Sequence, residues 1–322
     1  MPPFPRPDPF DYDPAEEIAA LEQWRQEQPG RAIPQRQPEK LLLASWNIAN
    51  LGDPGQQRDP RDLDIMASLI GWFDLVALQE VKQDTTALQQ IRARLPSSWR
   101  AIFTDKGGNN ERLAFLYDSD AVELLELAGE IAVPPASARY IRLPGIDRKF
   151  DGFDRNPYAV AFRREGLRLT IANAHLYYGS SSTYHENRRA LENYALGRWA
   201  DLNRKSQFAY TRNVIVIGDL NMPKAEPGDL VFEALTRRGL FIPKHQTRIG
   251  TTTGGDTHYD QIAFFPGQAG AAFQTSGVFD FDGAVFSHLW EQEGRTRFDA
   301  FVRYHLSDHR LLWAQFDATG PQ

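Results

Sequence analysis

The chain has 322 residues, 42% of them hydrophobic, with 20 Phe and 7 Trp, which suffices for a large core in one α/β or β-rich domain. It contains no cysteine, so a disulfide framework and thiolate metal sites are excluded. The net charge of -6 argues against a uniformly basic, DNA-coating protein. It leaves room for local basic pairs such as Arg148-Lys149, Arg163-Arg164, Arg188-Arg189 and Arg237-Arg238, each of which read alone is a solvated face.

Residues 1 to about 38 are rich in Pro, Gln and charge, with neither a basic start nor an apolar stretch of the kind a secretory leader carries. Within them "AEEIAALEQWRQEQ" can form a short amphipathic helix through Ile18, Leu21 and Trp24. This segment is expected to be an arm, either packed on the body or mobile, ahead of a catalytic domain spanning 39–318. No apolar run approaches membrane-spanning length, so a cytoplasmic protein without a membrane or protein partner is expected.

From Lys40 onward strands and helices alternate irregularly. "LLLASWN" reads as a buried strand, and "DPRDLDIMASLIGWF" as a helix capped by Asp59, opened by Pro60 and apolar through Met66, Leu69, Ile70 and Phe73. "DLVALQE" is a strand, and "DTTALQQIRARL" a helix with Leu88, Ile91 and Leu95 on one side. "RAIFT", "RLAFLYD", "YAVAFR" and "LRLTIANAH" follow as strands. "RRALENYALGRWADLNR" is a helix with Leu191, Tyr194, Ala195, Trp199 and Leu202 at three- and four-residue spacing. "NVIVIGDLNMP" is a buried strand closed by Pro223; a short helix near "GDLVFEALTRR" stops at Gly239; "YDQIAFF" and "RLLWAQF" complete the strands. Strands outnumber helices and several follow one another directly, which favours sheet packed on sheet with helices outside.

Six of these strands carry acids, amides or imidazoles at one end: Asn47, Glu80, His175, Asp219 with Asn221, Asp260, and Ser307-Asp308-His309. Each taken singly is explained by a turn or a strand-end hydrogen bond. Together they suggest that the tips converge on an oxygen-rich pocket with two histidines. Carboxylates and amides without thiolates suit a hard cation, Mg²⁺, Mn²⁺ or Ca²⁺. Two histidines suit proton transfer near neutral pH. Phosphoester hydrolysis uses all of these: a base for water, a cation for the phosphoryl charge and an acid for the leaving oxygen. The remaining histidines, His185, His245, His258, His288 and His305, lie in no such setting and read as structural.

In order along the chain, "WNIANLG", "DLVALQEVKQD", "NERLAFLYD", "DRNPYAVAFR", "AHLYYGS", "IGDLN", "YDQIAF", "FDFDGAVF" and "LSDHR" resemble the motifs of the endonuclease–exonuclease–phosphatase superfamily, deoxyribonuclease I in particular, over about Leu41 to Phe316. The resemblance implies a four-layer α/β/β/α sandwich: two mixed sheets face to face, helices outside, and the site at one rim. It implies a Mg²⁺-dependent phosphodiesterase acting on nucleic acid, with DNA the first expectation. A small-molecule or phospholipid phosphatase or phosphodiesterase on the same scaffold is the alternative. By the same resemblance, Glu80 is the principal metal ligand, with Asn47 beside it and Asp308 helping. Asp219 and Asn221 bind the scissile phosphate or a second metal. His309, paired with Asp260, lies on the side of the attacking water, and His175, paired with Glu111, protonates the leaving oxygen. Arg155 and Lys82 match positions that contact DNA. The chain departs from deoxyribonuclease I in lacking its disulfides, in the arm, and at "GGNNER", where Asn109 and Asn110 replace a tyrosine that stacks on a minor-groove sugar. The last departure favours single-stranded DNA, RNA or a smaller phosphodiester.

Overall fold

The computed structural model describes residues 3–27, 31–245, 247, 249–267 and 269–319. Among them are eleven strands: β1 Lys40–Leu51, β2 Leu75–Val81, β3 Trp99–Phe103, β4 Arg112–Asp118, β5 Glu123–Glu130, β6 Tyr158–Arg164, β7 Leu167–His175, β8 Val214–Asp219, β9 Asp260–Phe264, β10 Phe273–Phe279 and β11 Leu311–Asp317. They form a six-stranded sheet in the order β10-β11-β1-β2-β4-β3 and a five-stranded sheet in the order β5-β6-β7-β8-β9. Both sheets are mixed: β1 pairs with β2, and β7 with β8, in parallel, while the other pairs are antiparallel.

The alternation of side chains along a strand splits each apolar run between two interiors. Leu41 and Leu43 of β1, with Ile215 and Ile217 of β8, meet in the core between the sheets. Leu42, Ala44 and Trp46 face the outer core of the first sheet, where Met66 and Ile70 of α2 (Pro60–Gly71), Leu88 of α3 (Thr86–Arg94) and later helices pack. Val214 and Val216 face the outer core of the second sheet. The result is the four-layer sandwich expected from the resemblance, and it explains why strands buried on both faces read as unbroken apolar runs.

Helix α2 begins as its sequence predicts. Asp59 caps it, accepting from the Arg61 N–H, while the Asp62 side chain accepts from the Asp59 N–H at 2.8 Å, a closed capping box. The long helix α4 (Thr183–Lys205) crosses the second sheet, but its buried face is turned from the expected one. Leu191, Tyr194 and Ala195 are buried as predicted, whereas Leu202 is 44% exposed. Polar residues fill much of the buried face instead, Glu192, Asn193 and Asp201 among them, so apolar spacing alone misplaces it.

The N-terminal segment lies against the body. Its helix α1 (Pro14–Glu27) buries Leu21 completely, Trp24 donates from Nε1 to Asp280 at 3.2 Å, and the Tyr12 hydroxyl bonds the Asp62 carboxylate. Two strands escape the apolar signature: β5, "ELLELAGE", alternates exposed acids along a sheet edge, and β10 is interrupted by Thr, Ser and Gly. The helical pair Ser287–Glu293 and Arg295–His305 was likewise not anticipated; it packs Phe298, Phe301 and Val302 into the outer core. No described helix is long and apolar enough to cross a membrane.

Candidate active site

The tips of β1, β2, β7, β8 and β9 and the turn before β11 meet at one rim of the sandwich. In-register parallel pairing places His175 of β7 beside Asp219 of β8. Gly218 makes this possible: its φ is +132°, and a Cβ there would lie 2.0 Å from the Ala174 carbonyl oxygen. Only glycine lets the two strands approach this closely. Asp219 then pairs across β8 and β9 with Asp260.

On the other sheet the ladders of β1 with β2 and of β2 with β4 break register at Asn47/Leu51 and Leu78/Val81. Here Ala49, Asn50 and Glu80 all adopt positive φ, 48°, 57° and 62°. Few non-glycine residues hold that conformation, and three within one strand-end region form a bulge that re-aims a side chain. They bring the Glu80 carboxylate round to the pocket, where it accepts from Asn47 Nδ2 and from the Asn50 N–H, both at 3.1 Å. Ser307 fastens the last element: its hydroxyl donates to the Asn47 carbonyl at 2.6 Å and accepts from the His309 N–H at 2.9 Å.

The chemistry is arranged as two histidine–carboxylate pairs around one acid. His175 Nδ1 lies 2.9 Å from Glu111 Oε2, and His309 Nδ1 lies 2.7 Å from Asp260 Oδ2. The opposite nitrogens face the same atom: His175 Nε2 is 3.5 Å, and His309 Nε2 3.8 Å, from Asp219 Oδ2. Asn47 Nδ2 donates to that oxygen as well, at 3.1 Å. Burial works against the Asp219 carboxylate, but His175 and His309 outweigh it and hold its pKa below the usual range. Burial likewise opposes a charged His309, and Asp260, Asp308 and Asp219 reverse the effect, raising its pKa well above normal. Glu111 is driven far down against burial by His175, Arg155 and Lys82.

Every residue singled out in the sequence lies in or directly beneath this pocket. Asn221, at φ 50°, is held by its own bond to the Leu176 carbonyl at 2.7 Å and by its N–H on Asp219. Asn47 bridges Glu80 and Asp219 through its amide nitrogen, and its oxygen accepts from the Ala49 N–H, so it presents donors to the pocket. Arg155 and Lys82 line the cavity but are almost completely buried. Lys82 is bonded to Glu111 at 2.9 Å; Arg155 is 3.5 Å from Glu111 and donates to the carbonyls of His175 and Leu176. Their charge thus reaches the pocket partly through the Glu111–His175 pair.

The donor set fits a hard divalent cation. Among the described residues Glu80 and Asp308 have no ion pair, and both line the pocket with Asp219. Burial, then the charges of Glu80 and Asp219, push the Asp308 pKa up against the pull of His309, so these carboxylates are crowded together more closely than the nearby cations offset. Potential ligand atoms of Glu80, Glu111 and His175 lie within 4.8 Å of one another, as do those of Asp219, Asp260 and His309.

The cavity these residues open into has a volume of about 920 Å³. Part of its wall was not foreseen: Phe4 from the arm, the Thr252–Gly255 turn, and Tyr177, Tyr178 and Tyr259. Both Tyr177 and Tyr178 stand inside "AHLYYGS", immediately after the strand-end histidine, and the contribution of Phe4 depends on how the arm folds back.

No protein-family model matches the chain, and no curated protein matches it. Solved structures do match in fold. An endonuclease/exonuclease/phosphatase family protein from Bacteroides thetaiotaomicron superposes with a TM-score of 0.58 at 17% identity, covering 86% of this chain and 94% of that one. D. rerio TDP2 complexed with a single-strand DNA product gives 0.54 at 16% identity, covering 86% and 98%. The Bacteroides thetaiotaomicron mannosyl-6-phosphatase gives 0.55 at 15% identity, covering 86% and 99%. The chain has the fold of the endonuclease/exonuclease/phosphatase proteins.

Proposed function

We propose that the protein is a divalent-metal-dependent phosphodiesterase that cleaves nucleic acid, single-stranded DNA or RNA in preference to duplex. The observation that carries this is the pair of buried histidines, each backed by its own carboxylate and both turned toward Asp219 Oδ2. Hydrolysis of a phosphodiester needs a proton removed on one side of phosphorus and delivered on the other, and two oriented imidazoles serve these two tasks.

Asp260 holds the His309 ring so that Nε2 faces the reacting centre. The carboxylates of Asp260, Asp308 and Asp219 favour its protonated form; a cation held by Asp308 would offset part of that charge and leave Nε2 able to take the proton of the attacking water. Glu111, 2.9 Å from His175 Nδ1, stabilises the charged imidazole, and His175 delivers a proton to the departing oxygen. Asn221 and the buried cations Arg155 and Lys82 favour an anion in the pocket, and Asp219 holds both imidazoles in register. Glu80 and Asp308 are the residues that would hold Mg²⁺ or Mn²⁺, which when bound supplies charge neutralisation at the phosphoryl group, while Asn47, its oxygen on the Ala49 N–H, steadies Glu80 through its amide nitrogen. The chain's acidity and the asparagines at 109 and 110 favour single strands over duplex, and a relative in fold has been crystallised with a single-strand DNA product.

A phosphatase acting on a small molecule is the second reading. A walled cavity of about 920 Å³ is large enough for a sugar phosphate, and a mannosyl-6-phosphatase shares the fold. Incubation of the purified protein with Mg²⁺ and a panel of plasmid, single-stranded DNA, RNA, a generic phosphodiester and sugar phosphates separates the two. Cleavage of single strands supports the first reading. Phosphate release from sugar phosphates with intact polynucleotides would replace it by the second.

A further inference from the structure

The segment after His175 builds an aromatic surface that the hydrolytic groups do not use. Tyr177 and Tyr178 leave the strand tip into the pocket wall, and Gly179, at φ +70°, turns the chain so tightly that a Cβ there would lie 2.3 Å from His185 Nδ1. The turn brings His185 against Tyr177, with rings 5.5 Å apart and 28° from parallel and the Tyr177 hydroxyl on His185 Nδ1. Tyr184 continues the row, its centroid 5.3 Å from that of His185. Each tyrosine is backed by an arginine: Arg188 lies 3.8 Å over Tyr177, Arg189 5.0 Å over Tyr178 and Arg148 4.4 Å over Tyr184. Tyr178 is nonetheless 41% and Tyr184 64% exposed. Tyr178 also touches Tyr259, whose ring is 6.4 Å from His309, so the row starts at the reacting centre and runs outward.

We infer that Tyr178 and Tyr184, with Tyr177 packed between Arg188 and His185 beneath them, form a stacking platform for the bases of a single-stranded nucleic acid whose phosphodiester lies between His175 and His309. This rests on the nucleic-acid reading given above. Arginine on one face of an aromatic ring fixes the ring and makes its surroundings electropositive, while the exposed remainder offers a flat apolar surface of the kind unpaired bases cover. Duplex bases are already stacked and cannot use it. The platform is continuous with the catalytic pocket through Tyr177 and Gly179, which a surface meant for an unrelated partner would not require.

The test compares Tyr184→Ala, Tyr178→Ala and Tyr184→Phe in the full chain with Mg²⁺, on a single-stranded oligonucleotide and on bis(p-nitrophenyl) phosphate. Loss of one stacked base raises KM for the oligonucleotide about tenfold in each alanine variant. The kcat for the oligonucleotide holds, and Tyr184→Phe restores KM. A merely structural role would lower kcat on both substrates and would not be rescued selectively. If the wild-type chain cuts the oligonucleotide and neither alanine variant moves its KM, the platform is refuted and the nuclease reading stands. If the wild-type chain hydrolyses the small diester and leaves the oligonucleotide whole, both fall.

Discussion

His175 ends strand β7 of one sheet and His309 stands in the turn before β11 of the other, yet both turn Nε2 toward the same oxygen of Asp219, at 3.5 and 3.8 Å. Each is fixed from behind by a carboxylate on Nδ1. If these carboxylates set the ring tautomer, Asp260→Asn lowers kcat by on the order of 10²–10⁴ while the variant remains folded, because an amide nitrogen facing Nδ1 stabilises the wrong tautomer. Steady-state kinetics with circular dichroism as the folding control measures this. A rate within about threefold of wild type would mean that Asp260 does not orient His309.

Glu80 occupies a strained position, φ 62°, with both oxygens satisfied by only two hydrogen bonds and no ion pair among the described residues. Chelation with EDTA should abolish activity, and Mg²⁺ or Mn²⁺ should restore it. Glu80→Gln should weaken Mn²⁺ binding by calorimetry at least about tenfold, the scale seen even when only a supporting partner of a metal ligand is lost. The thermal transition should remain cooperative; unfolding of this variant would make Glu80 a structural residue instead.

These site residues were legible because each stands where an apolar run stops: Asn47 after "LLLASW", Glu80 after "DLVALQ", Asp219 after "VIVIG". A rigid strand ends in a fixed place, so polar residues at several tips announce a common rim. The strand cores were legible for the same reason. Other parts depend on contacts that no local pattern encodes. The edge strand β5 carries acids on its open face, the α4 interface is largely polar, and Phe4 reaches the cavity only because α1 and Tyr12 anchor the arm far from its neighbours in sequence.

That anchoring has an energetic consequence. Leu21 is fully buried within the outer core of the first sheet, so Leu21→Ala should cost about 2–5 kcal/mol in urea denaturation. An arm that contributed nothing to the fold would lose almost none.

Glu192 should give the protein a pH-dependent stability. It lies under the site, accepting from the Tyr177 N–H at 3.1 Å and the Asp154 N–H at 3.2 Å, and burial raises its pKa to about 7 against the help of that Tyr177 bond and of Arg188. The folded chain then binds more protons than the unfolded chain between pH 4.5 and about 7. The stability contributed by Glu192 is therefore full below 4.5 and declines as pH rises through 7, by on the order of 3 kcal/mol. Melting curves of wild type and Glu192→Gln from pH 5 to 8 isolate the effect: the difference should shift in favour of the glutamine variant with rising pH. A constant difference would show that Glu192 is ionised throughout.

The most direct measurement is the Mg²⁺-dependent hydrolysis of single-stranded DNA and of a generic phosphodiester by the wild-type chain and by His309→Ala. The expected result is turnover by the wild type and a loss on the order of 10²–10⁴-fold in the variant on both substrates. Equal rates from the two proteins, or no phosphodiester cleaved by the wild type, would contradict the assignment of this rim as a hydrolytic centre.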